Sequence, residues 1–309
     1  MSPGSAGEGG PLTMQLEKRG VENLAGVIDL HVYAAPSVYS ERAFTEIELA
    51  AQAREVGYRG LLFKDHQTIN ADRAQYVRAL VPGIEAHGGV VLNHAVGGLN
   101  PEAVEAAINY GAKCVWMPSL HAAGHQAHYG SLEYENMTMK FTGKRRPVRG
   151  ITIFDSDRRI LPDVYDILSM VRDADIILAT GQLTIEEIFA LIRGARDVGI
   201  TKLLVEHAEA AVTKLTPDEQ AQLAEMGATI QHAYAVVFYH ETSIKEVAQS
   251  IKKHGAVSGV LATDCGNVYN PHPIEAMRLF ITMLIRAGIT RDEIVLMTQK
   301  VPASLLNLD

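Results

Sequence analysis

Short apolar runs alternate along the chain with longer segments whose apolar residues recur at helical spacing. The runs are nearly continuous in Val, Ile and Leu, a pattern typical of strands that are buried on both faces of a parallel sheet. Eight strands are predicted in this way, at residues 27–33, 58–64, 89–94, 114–117, 175–181, 202–207, 228–232 and 259–264. Eight strands with helices between them favour a (β/α)8 TIM barrel, an α/β fold, over an open doubly wound sheet.

Helix start and stop signals lie between the apolar runs. Thr184 and Glu187 have the spacing of a capping box, Asn100 precedes a proline at a first helical position, and Gly57 follows the first helical segment. The sequence predicts helices at residues 45–56, 101–110, 184–196, 216–227 and 243–253. The first strand is not followed by a glycine-rich dinucleotide fingerprint, which weakens the open-sheet alternative further.

One barrel domain is predicted over residues 21–309, after a Gly/Ser-rich disordered leader at residues 1–20. An insertion at about residues 119–156 is longer than an ordinary loop between a strand and a helix, and residues 151–154 have the pattern of a small extra strand. Because the loops after barrel strands cover the catalytic mouth, we expect this insertion to form a lid. One or two further helices are expected after residue 291.

Composition narrows the range of partners. The net charge of -8 disfavours nucleic acid and anionic membrane surfaces, and the sequence has no apolar run of the roughly 18 residues that a membrane span needs. Cys114 and Cys265, the two cysteines, lie in apolar segments, as buried thiols in a reducing compartment do. We therefore expect a cytoplasmic protein with a small-molecule substrate, and a homo-oligomer on the base rate alone.

Histidine recurs where the predicted strands end. Five of the eight strand ends carry one, although the whole chain has only 12 histidines. The active site of a barrel of this kind lies at the C-terminal ends of its strands, and neutral imidazoles with a carboxylate are the usual ligands of zinc and related divalent ions. The strand-end residues that predict a metal centre are His31, His66, His94, His207, His232 and Asp264.

Several motifs carry a resemblance to a known family. The segment Asp29-Leu-His-Val-Tyr33 resembles the opening His-x-His motif of the amidohydrolase superfamily, Asp264 resembles its closing aspartate, and residues 301–308 are similar to its terminal helix. Four further stretches resemble an uncharacterised branch of predicted metal-dependent hydrolases, at residues 62–66, 92–101, 116–118 and 179–182. The resemblance covers nearly the whole chain from about residue 27 and implies an amidohydrolase-like barrel that is a metal-dependent hydrolase.

Two positions depart from the pattern of that family. Tyr33 stands where the opening motif has its second histidine, and Gln182 stands where the narrower branch usually has a histidine. Both positions would otherwise supply metal ligands, so we expect one divalent ion, zinc or manganese, rather than two. The ligand set that the resemblance leaves is His31, His207 and Asp264, with His94 and His66 as further candidates.

Catalytic roles follow for a second group of residues. Asp264, beside His207, would take a proton from the attacking water and pass it to the leaving group. Tyr33, Lys64 or His232 would stabilise the developing oxyanion. Three interpretations of Lys64 stay open at this point: a carboxylated lysine that bridges metal ions, a clamp for a substrate carboxylate, or a lysine paired with a carboxylate.

The remaining polar candidates have an equally plain structural interpretation. His94 and His232 would also serve as core histidines or as supports for a ligand. The spacing of His121, His125 and His128 would suit a second metal site on a short helix or a polar loop. The basic stretch at residues 144–149 would steer anionic substrates or form a solvated turn.

The leading expectation is a metal-dependent hydrolase of a C–N or C–O bond in a small molecule, such as an amide, a cyclic imide or a lactone. The nearest alternative keeps the barrel and the metal but makes the enzyme a decarboxylase, lyase or isomerase. A third alternative is a non-enzymatic protein that binds a small molecule at a decayed site. Fold alone does not choose among these, because barrels host unrelated chemistries.

Overall fold

The computed structural model of the chain describes residues 23–131 and 149–308. The predicted leader lies outside the described residues, and so do residues 132–148 of the predicted insertion, with most of its basic stretch. Among the described residues, no helix combines the length and the apolar character that crossing a membrane requires.

Short, buried strands form the centre of the described chain, and nearly every strand residue is inaccessible to solvent. In chain order they are β1 (Ile28–Val32), β2 (Gly60–Phe63), β3 (Glu85–His87), β4 (Gly89–Val91), β5 (Cys114–Trp116), β6 (Ile177–Ala179), β7 (Leu203–Val205), β8 (Ala228–Ala233) and β9 (Gly259–Ala262). Every pair of neighbouring strands is parallel, in the orders β1-β2-β3 and β4-β5-β6-β7-β8-β9.

The third barrel strand is divided between β3 and β4 at Gly88. The Asn70 side chain occupies the break, where it donates to the carbonyl of Phe63 and accepts from the amide of Gly89. A Cβ atom on Gly88 would lie 2.5 Å from the Asn70 side-chain oxygen, so only glycine fits here. β3 and β4 therefore count as one strand of the barrel.

Backbone bonds join the last strand to the first. The Asp264 amide donates to the carbonyl of His31 at 2.8 Å, and the Tyr33 amide donates to the carbonyl of Cys265 at 2.9 Å. The buried carboxylate of Asp29 accepts from the Thr263 hydroxyl at 2.5 Å, across the same seam. Eight parallel strands in this order form a (β/α)8 TIM barrel, as the sequence predicts.

Helices follow the strands, and many begin with a side-chain cap. Thr45, Thr184, Thr216, Ser243 and Thr290 each form a capping box with a glutamate three residues later. The α-helices are α1 (Glu46–Glu55), α2 (Ala71–Leu80), α3 (Pro101–Asn109), α4 (Ala123–Tyr129), α5 (Pro162–Ala174), α6 (Ile185–Asp197), α7 (Pro217–Glu225), α8 (Tyr234–Phe238), α9 (Ile244–His254), α10 (Pro273–Arg286), α11 (Arg291–Val295) and α12 (Val301–Leu306). Short 3-10 turns lie at His94–Val96 and Ala256–Ser258, and a π-helical turn lies at Leu296–Lys300.

Apolar side chains pack on both sides of the strands. Two large clusters fill the space between the barrel and its helices. A third cluster fills the barrel interior, where Leu30, Trp116 and Leu204 pack against Ala303 and Leu306 of α12. The C-terminal helix therefore closes one end of the interior, and the polar strand ends remain at the other.

The predicted extra strand at residues 151–154 is wrong. Ile151 and Phe154 each make an isolated bridge, to Ala122 and Ile160, and no strand forms between them. The described part of the insertion contributes α4 instead. Leu120, which precedes α4, and Tyr129, the last residue of α4, line the cavity at the strand ends. The lid itself stays a prediction.

Candidate functional site

Three side chains converge at the C-terminal ends of the strands. His31 comes from β1, His207 from the end of β7 and Asp264 from the end of β9, and one ligand atom of each lies within 4.8 Å of the other two. Nε2 of His31 is 3.1 Å from one Asp264 oxygen, and Nδ1 of His207 is 3.7 Å from the other. These are the three residues that the sequence predicts as the core of a metal centre.

Unusual backbone geometry positions two of the three. His207 has φ +51° and Asp264 has φ +54°, both in the left-handed region. His and Asp enter that region more readily than most residues, although it costs free energy. The turn that follows each strand therefore directs the side chain across the mouth of the barrel.

Hydrogen bonds fix the orientation of the His31 ring. Its Nδ1 lies 3.0 Å from the side-chain oxygen of Gln231 and 3.2 Å from a Glu206 oxygen. Because both neighbours are acceptors, we place the proton on Nδ1, which leaves a lone pair on Nε2. That lone pair faces Asp264, and the Tyr33 hydroxyl lies 3.0 Å from the same nitrogen.

Burial governs the pKa values at this centre. It lowers the pKa of His31 well below its ordinary value and that of His207 to about 3, and the ammonium of Lys64 adds to both effects. It raises the pKa of Asp264 to about 7, against the opposing effect of Lys64. Both imidazoles are therefore neutral at pH 7, the form that ligates metal ions.

The donor set fits a divalent ion. Metal bonds of about 2.1 Å in a tetrahedral site separate the ligand atoms by about 3.4 Å. The separations of 3.1 Å from His31 to one Asp264 oxygen and of 3.7 Å from His207 to the other are close to that value, and one ligand atom of each residue lies within 4.8 Å of the other two. Two imidazole nitrogens and a carboxylate oxygen, with a histidine held through its other nitrogen, are a usual arrangement for zinc.

Lys64 is buried against Glu206, beneath this centre. Its ammonium lies 3.1 Å from one Glu206 oxygen and 2.9 Å from the other, with both side chains inaccessible to solvent. Of the three interpretations of Lys64, the geometry fits the lysine paired with a carboxylate. A carboxylated lysine would place two anions against each other, so the geometry disfavours the bridging interpretation. Because the Lys64 ammonium is bonded to both Glu206 oxygens, the geometry does not support the predicted contact between Lys64 and the oxyanion.

A cavity of about 360 Å³ opens over the centre. Ten of its eighteen lining residues are aromatic or aliphatic, and the other eight are polar or charged. The residues of this lining that concern the chemistry are Tyr33, Arg42, His66, Gln182, His207, Glu241 and Asp264. The volume suits a single small molecule rather than a polymer.

The structure does not bring all predicted residues to the centre. His66 lines the cavity, but its Nδ1 is bonded to the Ser119 hydroxyl at 3.1 Å, and it is not one of the three clustered ligands. His94 lies in a 3-10 turn, where its Nε2 bonds the carbonyl of Arg149 at 2.9 Å. Neither histidine is placed as a ligand of the predicted ion.

The sequence prediction is also wrong about the position of His232. Successive side chains of a strand point to opposite faces, so Gln231 reaches His31 inside the barrel and His232 points outward. There it lies 2.7 Å from a Glu209 oxygen and 3.0 Å from Nε2 of His254. A role for His232 at the oxyanion is therefore excluded by its direction.

The second metal site considered for the loop is not formed by the described residues. His125 bonds Gln182 at 2.6 Å, and His121 accepts from the amide of His94. Within residues 23–131 and 149–308, the three clustered ligands above are the only group that meets the geometry of a metal site.

Glu206, Gln231, Arg42 and Glu241 of the site were not predicted from the sequence. Glu206 directly precedes His207, and Gln231 directly precedes His232, so the alternation of each strand would have pointed to them. Arg42 lies in the segment between β1 and α1, and its sequence context carries no signal.

Comparison with known families places this chain. Residues 26–231, about two thirds of it, match one family. The chain belongs to the family of unknown function DUF6282. No curated protein matches it.

Solved structures show the same fold at low sequence identity. A beta-aspartyl dipeptidase from Fervidobacterium islandicum is 12% identical, over 92% of this chain and 73% of that one, with a TM-score of 0.60. The phosphotriesterase homology protein of Escherichia coli, with phosphate in its active site, is 11% identical over 92% and 100%, with a TM-score of 0.54. A 2,6-dihydroxybenzoate decarboxylase from Rhizobium is 11% identical over 92% and 99%, also with a TM-score of 0.54. The predicted fold, an amidohydrolase-like TIM barrel, is therefore confirmed.

Proposed function

We propose that this protein is a metal-dependent hydrolase of the amidohydrolase superfamily that cleaves a C–N or C–O bond in a small molecule. An amide, a cyclic imide or a lactone is the expected substrate. The observation that carries the proposal is the convergence of His31, His207 and Asp264 at the base of the cavity. These residues would hold one zinc or manganese ion.

A divalent ion at such a site lowers the pKa of water toward neutrality and polarises a carbonyl. The protein supplies the rest. Asp264 keeps 16% of its side-chain surface exposed toward the cavity, so its carboxylate is placed to take the proton of the attacking water and deliver it to the leaving group. His31 is held by Gln231 and Glu206 and does not need to reorient during the reaction.

Tyr33 is the candidate for stabilising the oxyanion. Its hydroxyl lies beside His31, and its ring lines the cavity. Lys64 and His232, the other two candidates, are bonded elsewhere. A phenol donates a hydrogen bond without carrying charge, so the Tyr33 hydroxyl can stabilise the negative charge that develops on the carbonyl oxygen.

The test couples metal analysis with a substrate panel. Protein grown with zinc or manganese is analysed for metal and then assayed on small amides, cyclic imides and lactones, before and after removal of the ion by a chelator. We expect about one ion per chain, and turnover that depends on it and incorporates oxygen from labelled water. Release of carbon dioxide without such incorporation would point to a decarboxylase instead.

Matched variants locate the ion and the proton acceptor. His207→Ala should lose the ion, whereas His94→Ala, a strand-end histidine bonded to a backbone carbonyl, should keep it. Asp264→Asn retains shape and removes charge, so we expect at least about a hundredfold loss of rate, the usual scale for a general base. A metal-free wild-type protein, or equal metal loss in the two histidine variants, would overturn the proposal.

A further inference from the structure

A single arginine reaches the cavity from the segment between β1 and α1. The guanidinium carbon of Arg42 lies 4.3 Å from the centre of the Tyr33 ring, and the Tyr33 hydroxyl bonds Nε2 of His31. One aromatic ring therefore separates the positive charge from the proposed metal centre. A ligand group held by Arg42 would lie within one small molecule's length of the reacting atoms.

The guanidinium of Arg42 is not fully used by the protein. Its Nη1 donates to the side-chain oxygen of Asn267, while its Nε is buried and has no hydrogen-bond partner in the described part of the chain. A buried donor without an acceptor costs free energy, so such a group in a cavity indicates a place where a ligand completes the bonding.

No carboxylate of the described residues forms an ion pair with Arg42. Two other cations of the structure, the buried Lys64 and the partly buried Arg73, are paired: Lys64 with Glu206, and Arg73 with Glu46 and Asp65. Within the described part of the chain, Arg42 donates to the neutral amide of Asn267 instead. Among the described residues that line the cavity, Arg42 carries the only guanidinium or ammonium group. A ligand with one negative charge would give Arg42 the bonded anion that the other two cations already have.

The walls of the same cavity indicate the rest of the ligand. Four tyrosines line it besides Tyr33, together with aliphatic side chains: Tyr39, Tyr129, Tyr239, Tyr269, Leu120, Val212 and Val236. Aromatic walls favour a flat ring, which stacks on or against them. A cavity of about 360 Å³ holds a molecule of one ring with short substituents.

We propose that Arg42 binds the carboxylate of a small, ring-containing substrate and so sets the distance between that carboxylate and the bond that is cleaved. This inference rests on the proposed function only in assigning the cavity to the substrate. The planar fork of a guanidinium matches a carboxylate with two parallel hydrogen bonds. A phosphate monoester would bring a second negative charge into a cavity that offers one cation beside Glu241 and Asp264, so a carboxylate is the better match.

The test measures binding of three simple probes by calorimetry to protein grown with zinc: benzoate, its neutral analogue benzamide, and phenyl phosphate. We expect benzoate to bind, with benzamide and phenyl phosphate weaker by at least about tenfold. Arg42→Gln should weaken benzoate at least about tenfold, the scale of a lost charge-assisted hydrogen bond, and Arg42→Lys should fall between. Arg286→Gln, on the exposed side of α10, is the matched control and should bind benzoate as the wild type does.

A second variant keeps the arginine and removes its free charge. Asn267→Asp replaces the side-chain amide that Arg42 bonds with a carboxylate. The binding of benzoate should weaken to a similar extent, whereas the hydrogen bonds that Ser40 and Arg42 donate to residue 267 are kept. Benzoate affinity unchanged in both variants, or phenyl phosphate bound more tightly than benzoate, would overturn the inference. Metal content is measured alongside: benzoate binding through Arg42 in a protein that holds no ion would refute the proposed function and leave this inference standing.

Discussion

The buried ion pair of Lys64 and Glu206 allows a test of how strongly burial couples two charges in the barrel interior. The pair has two contacts, of 3.1 and 2.9 Å, and both side chains are fully inaccessible. Burial raises the pKa of the Glu206 carboxyl, and Lys64 offsets part of that rise. We consider the variants Lys64→Met, Glu206→Gln and their combination.

The structure sets the expected magnitude. At an effective dielectric constant of 20, unit charges about 3 Å apart attract each other by about 5.5 kcal/mol. Removing one partner leaves the other charge buried and uncompensated, which costs about 3–5 kcal/mol of folding free energy. In the double variant no uncompensated charge remains, and a glutamine at position 206 can still accept from His31. We therefore expect the double variant to be more stable than either single variant, with a coupling energy of at least about 2 kcal/mol.

Urea unfolding of the four proteins measures that coupling. The pair of Lys253 and Asp218 is the control, because its contact of 2.7 Å is as short but its side chains are 54% and 75% exposed. The same cycle there should give a coupling close to zero, since water screens the charges. Additive effects at Lys64 and Glu206, or equal couplings in the two cycles, would refute the argument that burial makes this pair matter.

Three further predictions concern the proposed metal centre and one buried histidine outside it. Gln231→Leu removes one acceptor from Nδ1 of the ligand histidine and should lower zinc affinity by about 10- to 100-fold in competition with a chromophoric chelator, whereas His232→Gln, on the outer face of the same strand, should leave it unchanged. Treatment with a chelator should lower the melting temperature, and one equivalent of zinc should restore it, whereas a need for two equivalents would contradict a single site. Burial lowers the pKa of His87 to about 4, although its Nε2 lies 3.3 Å from Glu85. The folded protein binds a proton at His87 less well than the unfolded chain does. The contribution of neutral His87 to stability is therefore complete above pH 6.5 and is lost as the pH falls toward 4. Between pH 8 and pH 5, the free energy of unfolding of His87→Gln, measured in urea, should fall by about 2 kcal/mol less than that of the wild type.

Much of the fold is predictable because the strands are buried on both faces. A continuous apolar run has few alternatives in a chain of this length, and each of the eight predicted runs overlaps an observed strand. The exception is the first half of the third strand, β3. Its residues Glu85, Ala86 and His87 are largely polar, and the break at Gly88 depends on a contact with Asn70 that lies outside the strand. Pattern alone does not contain that contact.

The site is predictable only in part, and the reason is directional. Position at the end of a strand brings His31, His207 and Asp264 together, because strand ends of a barrel meet at one mouth. Which of two successive side chains points inward depends on the register of each strand. A one-residue difference reverses it, and so the prediction favoured His232 where Gln231 is the inward residue.

The polar layer at the top of the barrel is costly, and its cost bears on how it works. His31, Lys64, Glu206 and Gln231 are buried directly above an apolar interior, where hydrophobic side chains would pack without desolvating any charge. Polar groups kept in such a place are expected where they support a function. Here they bond one another, whereas Arg42 stacks on the ring of Tyr33, whose hydroxyl contacts His31. Loss of the layer should therefore change metal affinity and stability, while loss of Arg42 should change which ligand binds.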